Sequence, residues 1–155
     1  MEKNTFWEMI ENARQNGHFE VEVLLDTLAK RSVEDIYAFE DNLTDCLYAL
    51  DTMECAKAVG YQENEYFSPD VFLYTRVNTV EQGRDFYNRV CKEPETMPQE
   101  TSESLLQAAR TAYQRKTKQQ DWEYIPKRLY ETYFNRKGWG EEKDMSIEEF
   151  LERGV

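Results

Sequence analysis

Hydrophobic positions recur along this chain at three- and four-residue spacing in separate blocks, and capping residues stand before most of them. Phe6, Met9, Ile10 and Ala13 share a face behind the capping-box pattern Thr5–Glu8, with Trp7 at its edge. They predict a first helix running to Gln15 and stopped by Gly17, with His18, the only histidine, in an exposed connector. Val21, Leu24, Leu25 and Leu28 form the stripe of a second helix from Glu20 to Lys30. Ser32 caps a third, on which Ile36, Phe39, Leu43 and Leu47 face inward through Tyr48. A fourth starts within Asp51–Glu54 and ends at Gly60, and Glu63–Phe67 reads as a polar and aromatic loop.

The densest block is Ser68–Pro94. Ser68 and Pro69 suit the N-cap and first position of a helix, and Asp70 suits the positive end of its dipole. Val71, Phe72, Leu73, Tyr74 and Val77 leave it almost no polar face, so it should be buried; a strand is the rival reading. Asn78 and Thr79 break the run, and Thr79–Gln82 reads as a capping box for a second helix carrying Val80, Gly83, Phe86, Tyr87 and Val90. Gly83 inside a helix costs about 1 kcal/mol, which close approach of a neighbouring backbone would justify. After Pro94 comes a linker with Pro98. Thr101 or Ser102 then caps a long helix, with Leu105, Ala109, Ala112 and Tyr113 inward. Asp121–Gly140 admits two readings, a short helix between Pro126 and Gly138 or an irregular aromatic segment lying over the body. Ser146–Glu149 opens a short acidic helix anchored by Ile147, Phe150 and Leu151.

These elements predict an all-α, single-domain bundle of about six to eight helices with an aromatic-rich C-terminal segment packed over it. Residues 1–140 form the helical domain and residues 141–155 a short acidic C-terminal helix. The 155 residues suit one domain. No apolar run approaches the length of about 18 residues that marks a membrane span, and the N-terminus lacks a secretory pattern. Cys46, Cys55 and Cys91 have neither metal nor redox-motif spacing and read as reduced thiols of a cytoplasmic protein.

The net charge of −12 is unevenly spread. Arg110–Gly140 holds eight basic residues against three acidic, or +5, leaving 11 basic against 28 acidic elsewhere, or −17. The basic segment either neutralises the acidic body by packing across it, or leaves that body to recognise a basic partner. Nucleic-acid binding through the aromatic and basic residues of Asp121–Gly140 is opposed by the overall charge.

No phosphate-binding glycine loop, EF-hand or Cys/His nucleophile pair is present, so no cofactor, metal site or catalytic residue is assigned. The candidate ligand or partner cluster is Asp70, Tyr74, Arg76, Arg84 and Tyr87, with Asp85 beside Arg84. Arg76 and Arg84 would leave a mostly apolar unit and need acidic partners, either the chain's own or a ligand's.

Three blocks occur in order: Phe6, Trp7, Ile10 and Glu11; Glu34, Asp35, Ile36 and Phe39; then Asp70, Phe72, Tyr74, Arg76, Gln82, Gly83, Arg84, Phe86 and Tyr87. With a later Glu131, Thr132, Asn135, Gly138 and Trp139, they resemble the bacterial family called domain of unknown function 4240, over residues 4 to 139. The chain departs from many members before the third block, where VGYQENEYFS replaces a Gly-Gly-Cys-Ser-type turn. The resemblance implies a small, mostly helical, cytoplasmic bacterial domain and brings no activity with it. The expected function is therefore a non-enzymatic protein-interaction domain, in an immunity- or antitoxin-like form, with a basic protein as partner. The alternative is a small-ligand-binding or enzymatic domain using the Asp70–Arg84 cluster.

Overall fold

Three hydroxyl side chains start three helices. In the computed structural model, which describes residues 1–141, Ser32 accepts from the Asp35 amide, Thr52 from the Cys55 amide and Ser68 from the Val71 amide. Each satisfies an amide that a helix start leaves open. The helices are α1 (Lys3–Asn12), α2 (Val21–Ala29), α3 (Val33–Ala49), α4 (Met53–Ala58), α5 (Pro69–Glu81), α6 (Arg84–Lys92) and α7 (Ala108–Thr117). They enclose one continuous core, with Phe6, Ile10, Leu28, Ile36, Phe39, Leu43, Leu47, Val77, Val80, Leu105 and Ala109 fully buried. The chain is thus the mostly helical domain that the apolar periodicity predicts. Phe6 lies 5.0 Å from Phe39, and Trp7 lies 5.1 Å from Tyr87, so aromatic rings bridge α1, α3 and α6.

Several expected boundaries move, each for a local reason. Helix α1 begins at Lys3, so the Thr5–Glu8 pattern lies inside it, and Glu2 at the cap makes no side-chain bond. After α1 the chain forms a small antiparallel hairpin, β1 (Arg14–Gln15) and β2 (His18–Phe19), in place of a plain connector. Asn16 and Gly17 both take positive φ, 53° and 79°, as the tight hairpin turn favoured by Asn-Gly demands.

Helix α5 runs unbroken through Asn78 and Thr79, where a break was expected. The Thr79 hydroxyl donates back to the Thr75 carbonyl at 3.0 Å, so it caps nothing new. The break falls at Gly83, the N-cap of α6, with φ 100° and ψ 173°. That mirror-image extended conformation is essentially confined to glycine. A Cβ there would meet only the Glu11 carboxylate, at an ordinary 3.5 Å. Backbone freedom, not close packing, is therefore what position 83 requires.

Ser102 does not cap a long helix. Its hydroxyl donates to Glu81 at 2.7 Å and accepts from the Ser104 amide, and a 3-10 turn over Ser104–Gln107 leads into α7. Beyond Lys118 the chain is an irregular strap, residues 119–141, lying across the bundle and ending in a 3-10 turn over Lys137–Trp139. No helix forms between Pro126 and Gly138; the irregular reading is the one observed. The helix expected at Ser146–Glu149 lies outside the described residues.

Gly83→Ala should cost about 1–3 kcal/mol of stability through backbone strain alone. Urea denaturation measures it; an unchanged midpoint would mean that the α5–α6 junction tolerates a side chain.

Candidate functional site

The last turn of a helix leaves carbonyl groups without helical partners. At the end of α3, three side chains from three different elements reach them. The Tyr87 hydroxyl on α6 donates to the Cys46 carbonyl at 3.0 Å, Arg76 on α5 donates to that of Leu47 at 2.9 Å, and Asn135 on the strap donates to that of Tyr48 at 3.0 Å. Arg76 is fully buried. Two further protons go to the Tyr130 carbonyl at 2.8 Å and the Thr132 hydroxyl at 2.9 Å, and its guanidinium lies 4.8 Å from the centre of the Phe72 ring. Burial lowers its pKa to about 10, while the nearby Asp51 and Glu131 carboxylates oppose the fall. Arg76 therefore stays charged at neutral pH. Its Nε is wholly shut from solvent and has no partner, the one such side-chain atom among the described residues.

Asp51 is the second fastening. It is fully buried and accepts from the Tyr133 amide at 3.1 Å, the Asn135 amide at 3.0 Å and the Trp139 indole at 2.8 Å. Thr52, not Asp51, caps α4, which frees the Asp51 carboxylate for the strap. Tyr133 reaches this geometry at φ 78°, strained for a bulky residue, and the hydrogen bond that its amide donates to Asp51 helps hold it there. Gly138 is required by space, since a Cβ would sit 2.7 Å from the Asp51 carbonyl oxygen. A helix here would have to withdraw the Tyr130 carbonyl and the Tyr133 and Asn135 amides from these partners in the bundle.

The five expected cluster residues separate. Arg84 and Tyr87 share a cleft of about 230 Å³ between α1, α3 and α6, which Lys3, Asp45 and Cys46 also line. Arg84 donates to Asn4 Oδ1 at 2.6 Å. Asp70 is exposed in the first turn of α5. Tyr74 is half-buried on the same helix, its phenol pKa raised by a hydrogen bond with Glu103. Arg76 points into the core. Asp85, beside Arg84, is exposed. Burial raises the pKa of all three thiols, that of Cys46 to about 12, so none is a ready nucleophile at neutral pH. Among the described residues, no group of three His, Cys, Asp or Glu side chains could hold a metal ion.

A second cleft, of about 240 Å³, lies between α3 and the strap and was not expected. Trp122, Tyr124, Ile125, Pro126, Leu129 and Tyr130 form apolar and aromatic walls, joined by Glu40, Arg128 and Glu131. Glu40 on α3 is 7% exposed, and no hydrogen bond or ion pair among the described residues engages its carboxylate. Desolvation, aided by the neighbouring Asp41 charge, raises its pKa to about 7. Burial likewise raises Glu131. Arg128 is turned toward Asp45, 3.3 Å away, and lies 4.6 Å from the centre of the Tyr48 ring. Asp41 anchors the rim, accepting from the Tyr124 hydroxyl at 2.6 Å and the Lys127 amide at 3.2 Å. The Tyr124 ring stacks on Tyr37 at 4.3 Å.

A family model described as protein of unknown function (DUF4240) matches residues 1–132. The chain belongs to this family. No curated protein and no solved structure matches it. The DUF4240 match includes Glu40, Asp51, Arg76, the Gly83 junction and Thr132, and stops before Asn135, Gly138 and Trp139. Its third block has a physical explanation here: Phe72 and Arg76 build the core and hold the strap, Gly83 turns the chain, and Tyr87 reaches the end of α3.

Glu40 carried a sequence signal. It falls four residues after Ile36 and three before Leu43, so a carboxylate occupies the apolar stripe of α3. Asp51 carried none, because an acid at a helix start is ordinary.

Glu40 makes stability pH-dependent with a defined sign. Its folded pKa, about 7, lies above the ordinary value of 4.5, so between those values the folded state holds more protons than the unfolded. Stability therefore falls as pH rises through that window. Glu40→Gln should leave stability nearly unchanged near pH 4 and raise it near pH 8, by on the order of 2–3 kcal/mol. Glu81 and Glu131, raised in the same direction, remain in both proteins and cancel in the comparison. Urea denaturation at both pH values measures the difference, and equal gains at both would show that Glu40 titrates normally.

Proposed function

We propose that this DUF4240 protein is a non-enzymatic interaction domain, acting in the bacterial cytoplasm, that recognises a basic protein partner. One observation carries the reading: three arginines of the chain's own basic segment are paired with acids within the fold, while the chain as a whole keeps a net charge of −12. Arg115 grips Glu22 through two bonds of 3.0 and 3.2 Å and lies 3.7 Å from Asp26. Arg128 pairs with Asp45, and Arg136 with Glu141. These contacts favour packing of Arg110–Gly140 across the body over nucleic-acid binding by it. The net charge of −12 left after these pairings gives a field that speeds encounter with a cationic surface. The three unpaired thiols suit a reducing compartment, and no helix of the described residues is long and apolar enough to cross a membrane.

Purification of the chain from its native host at physiological salt should recover a stoichiometric complex with one strongly basic protein. That complex should dissociate in about 1 M salt, where the screening length falls to about 3 Å. Elution alone as an 18.5 kDa species contradicts the reading.

A further inference from the structure

We propose that the cleft between α3 and the strap seats one lysine or arginine side chain of the basic partner, with its cation against the Glu40 carboxylate. This rests on the interaction reading above and assigns it a contact point.

A carboxylate buried without a partner is costly, and folds normally compensate it with a cation or hydrogen-bond donors. Glu40, more than nine-tenths buried, has neither among the described residues, and what solvent contact its carboxylate keeps is through the open space that it lines. The walls suit a cation with a hydrocarbon stem. Trp122, Tyr124 and Tyr130 bring aromatic rings, whose faces attract a positive charge, while Ile125 and Leu129 pack against methylenes. Size narrows the occupant. At about 240 Å³ the cleft falls below the roughly 300–1,000 Å³ of pockets that hold drug-sized ligands, so it fits one side chain rather than a cofactor.

Charge selects the sign. Glu131 lines the same cleft, and the one lining cation, Arg128, is held by Asp45 and the Tyr48 ring. Asp41, which also faces Glu40, is occupied by Tyr124 and the Lys127 amide. An anion would meet two carboxylates, and a neutral group would leave Glu40 uncompensated. A cation requires Glu40 ionised, so seating it releases a proton whenever Glu40 starts protonated. Affinity should therefore weaken as pH falls below about 7. Glu131 and the Tyr124 and Tyr130 phenols face the same space, and Glu40→Gln separates Glu40 from them.

The test titrates acetyl-Gly-Arg-Gly-amide, acetyl-Gly-Lys-Gly-amide and acetyl-Gly-Gln-Gly-amide into the full chain, reading the Trp122 indole resonance by NMR. The two basic peptides should shift it saturably, and the glutamine peptide should not. Glu40→Gln should weaken the basic peptides by about tenfold or more, and Leu129→Lys, which supplies a cation from within, should abolish their binding. Urea denaturation of both variants confirms that they fold. Equal binding to wild type and Glu40→Gln overturns the proposal, as does no shift with either basic peptide. Spermidine binding about tenfold more tightly than both peptides also overturns it, by assigning the cleft to a free amine. A native complex that survives Glu40→Gln removes this seat but leaves the interaction reading standing. Absence of any native complex removes that reading even where the tripeptides bind.

Discussion

The structure depends on how the C-terminal end of α3 is closed. A helix end leaves hydrogen-bonding capacity open on its last carbonyl groups, and it carries the negative end of the helix dipole. Here the donors are Tyr87 from α6, Arg76 from α5 and Asn135 from the strap, each to a successive carbonyl. Closing one helix end thus ties three elements distant in sequence to a common point. Arg76 adds a full positive charge at the negative pole, and two more of its protons hold the strap through Tyr130 and Thr132. Asp51 completes the arrangement from the other side, taking two strap amides and an indole. Arginine suits this position because its planar fork meets several oxygens at once and stays charged when buried.

This fastening has a consequence for function. The strap lies across α3 without a helix of its own, and the space left between them is the cleft that holds Glu40. A leucine at position 40 would continue the apolar stripe; the glutamate makes the fold less stable at neutral pH than it need be. A nearly buried carboxylate without a partner, on the wall of an open cleft, is the observation on which the proposed cation seat rests. The other cleft, at Arg84, has its arginine engaged by Asn4 and holds no comparable uncompensated charge.

Most of the helices were legible in the sequence because their determinants are local. Ser32 and Ser68 cap where a side-chain oxygen precedes an apolar stripe, and the stripes of α1, α2 and α3 face the core as their spacing requires. Where a local pattern failed, or left two readings open as at Pro126–Gly138, a distant partner or a second local use decides the outcome. Thr79 resembles a cap, but a threonine within a helix can bond back to the preceding turn. Pro126–Gly138 has the signals of a helix start and stop, but its backbone groups belong to Arg76 and Asp51, more than fifty residues away. The candidate cluster on α5 and α6 was chosen for its polar residues in an apolar setting. That criterion found Arg76, whose work is structural, and passed over Glu40, which meets it in α3. The Asn16–Gly17 hairpin was readable from its dipeptide, though strands of two residues leave little flanking pattern.

Native-state hydrogen exchange tests most directly whether the strap is an integral part of the fold. The amides of Tyr133 and Asn135, which donate to Asp51, should exchange only through global unfolding, with the same free energy and denaturant dependence as core amides of α3 and α5. Exchange of those two amides through a local opening, several kcal/mol below the global value and insensitive to denaturant, would contradict the account.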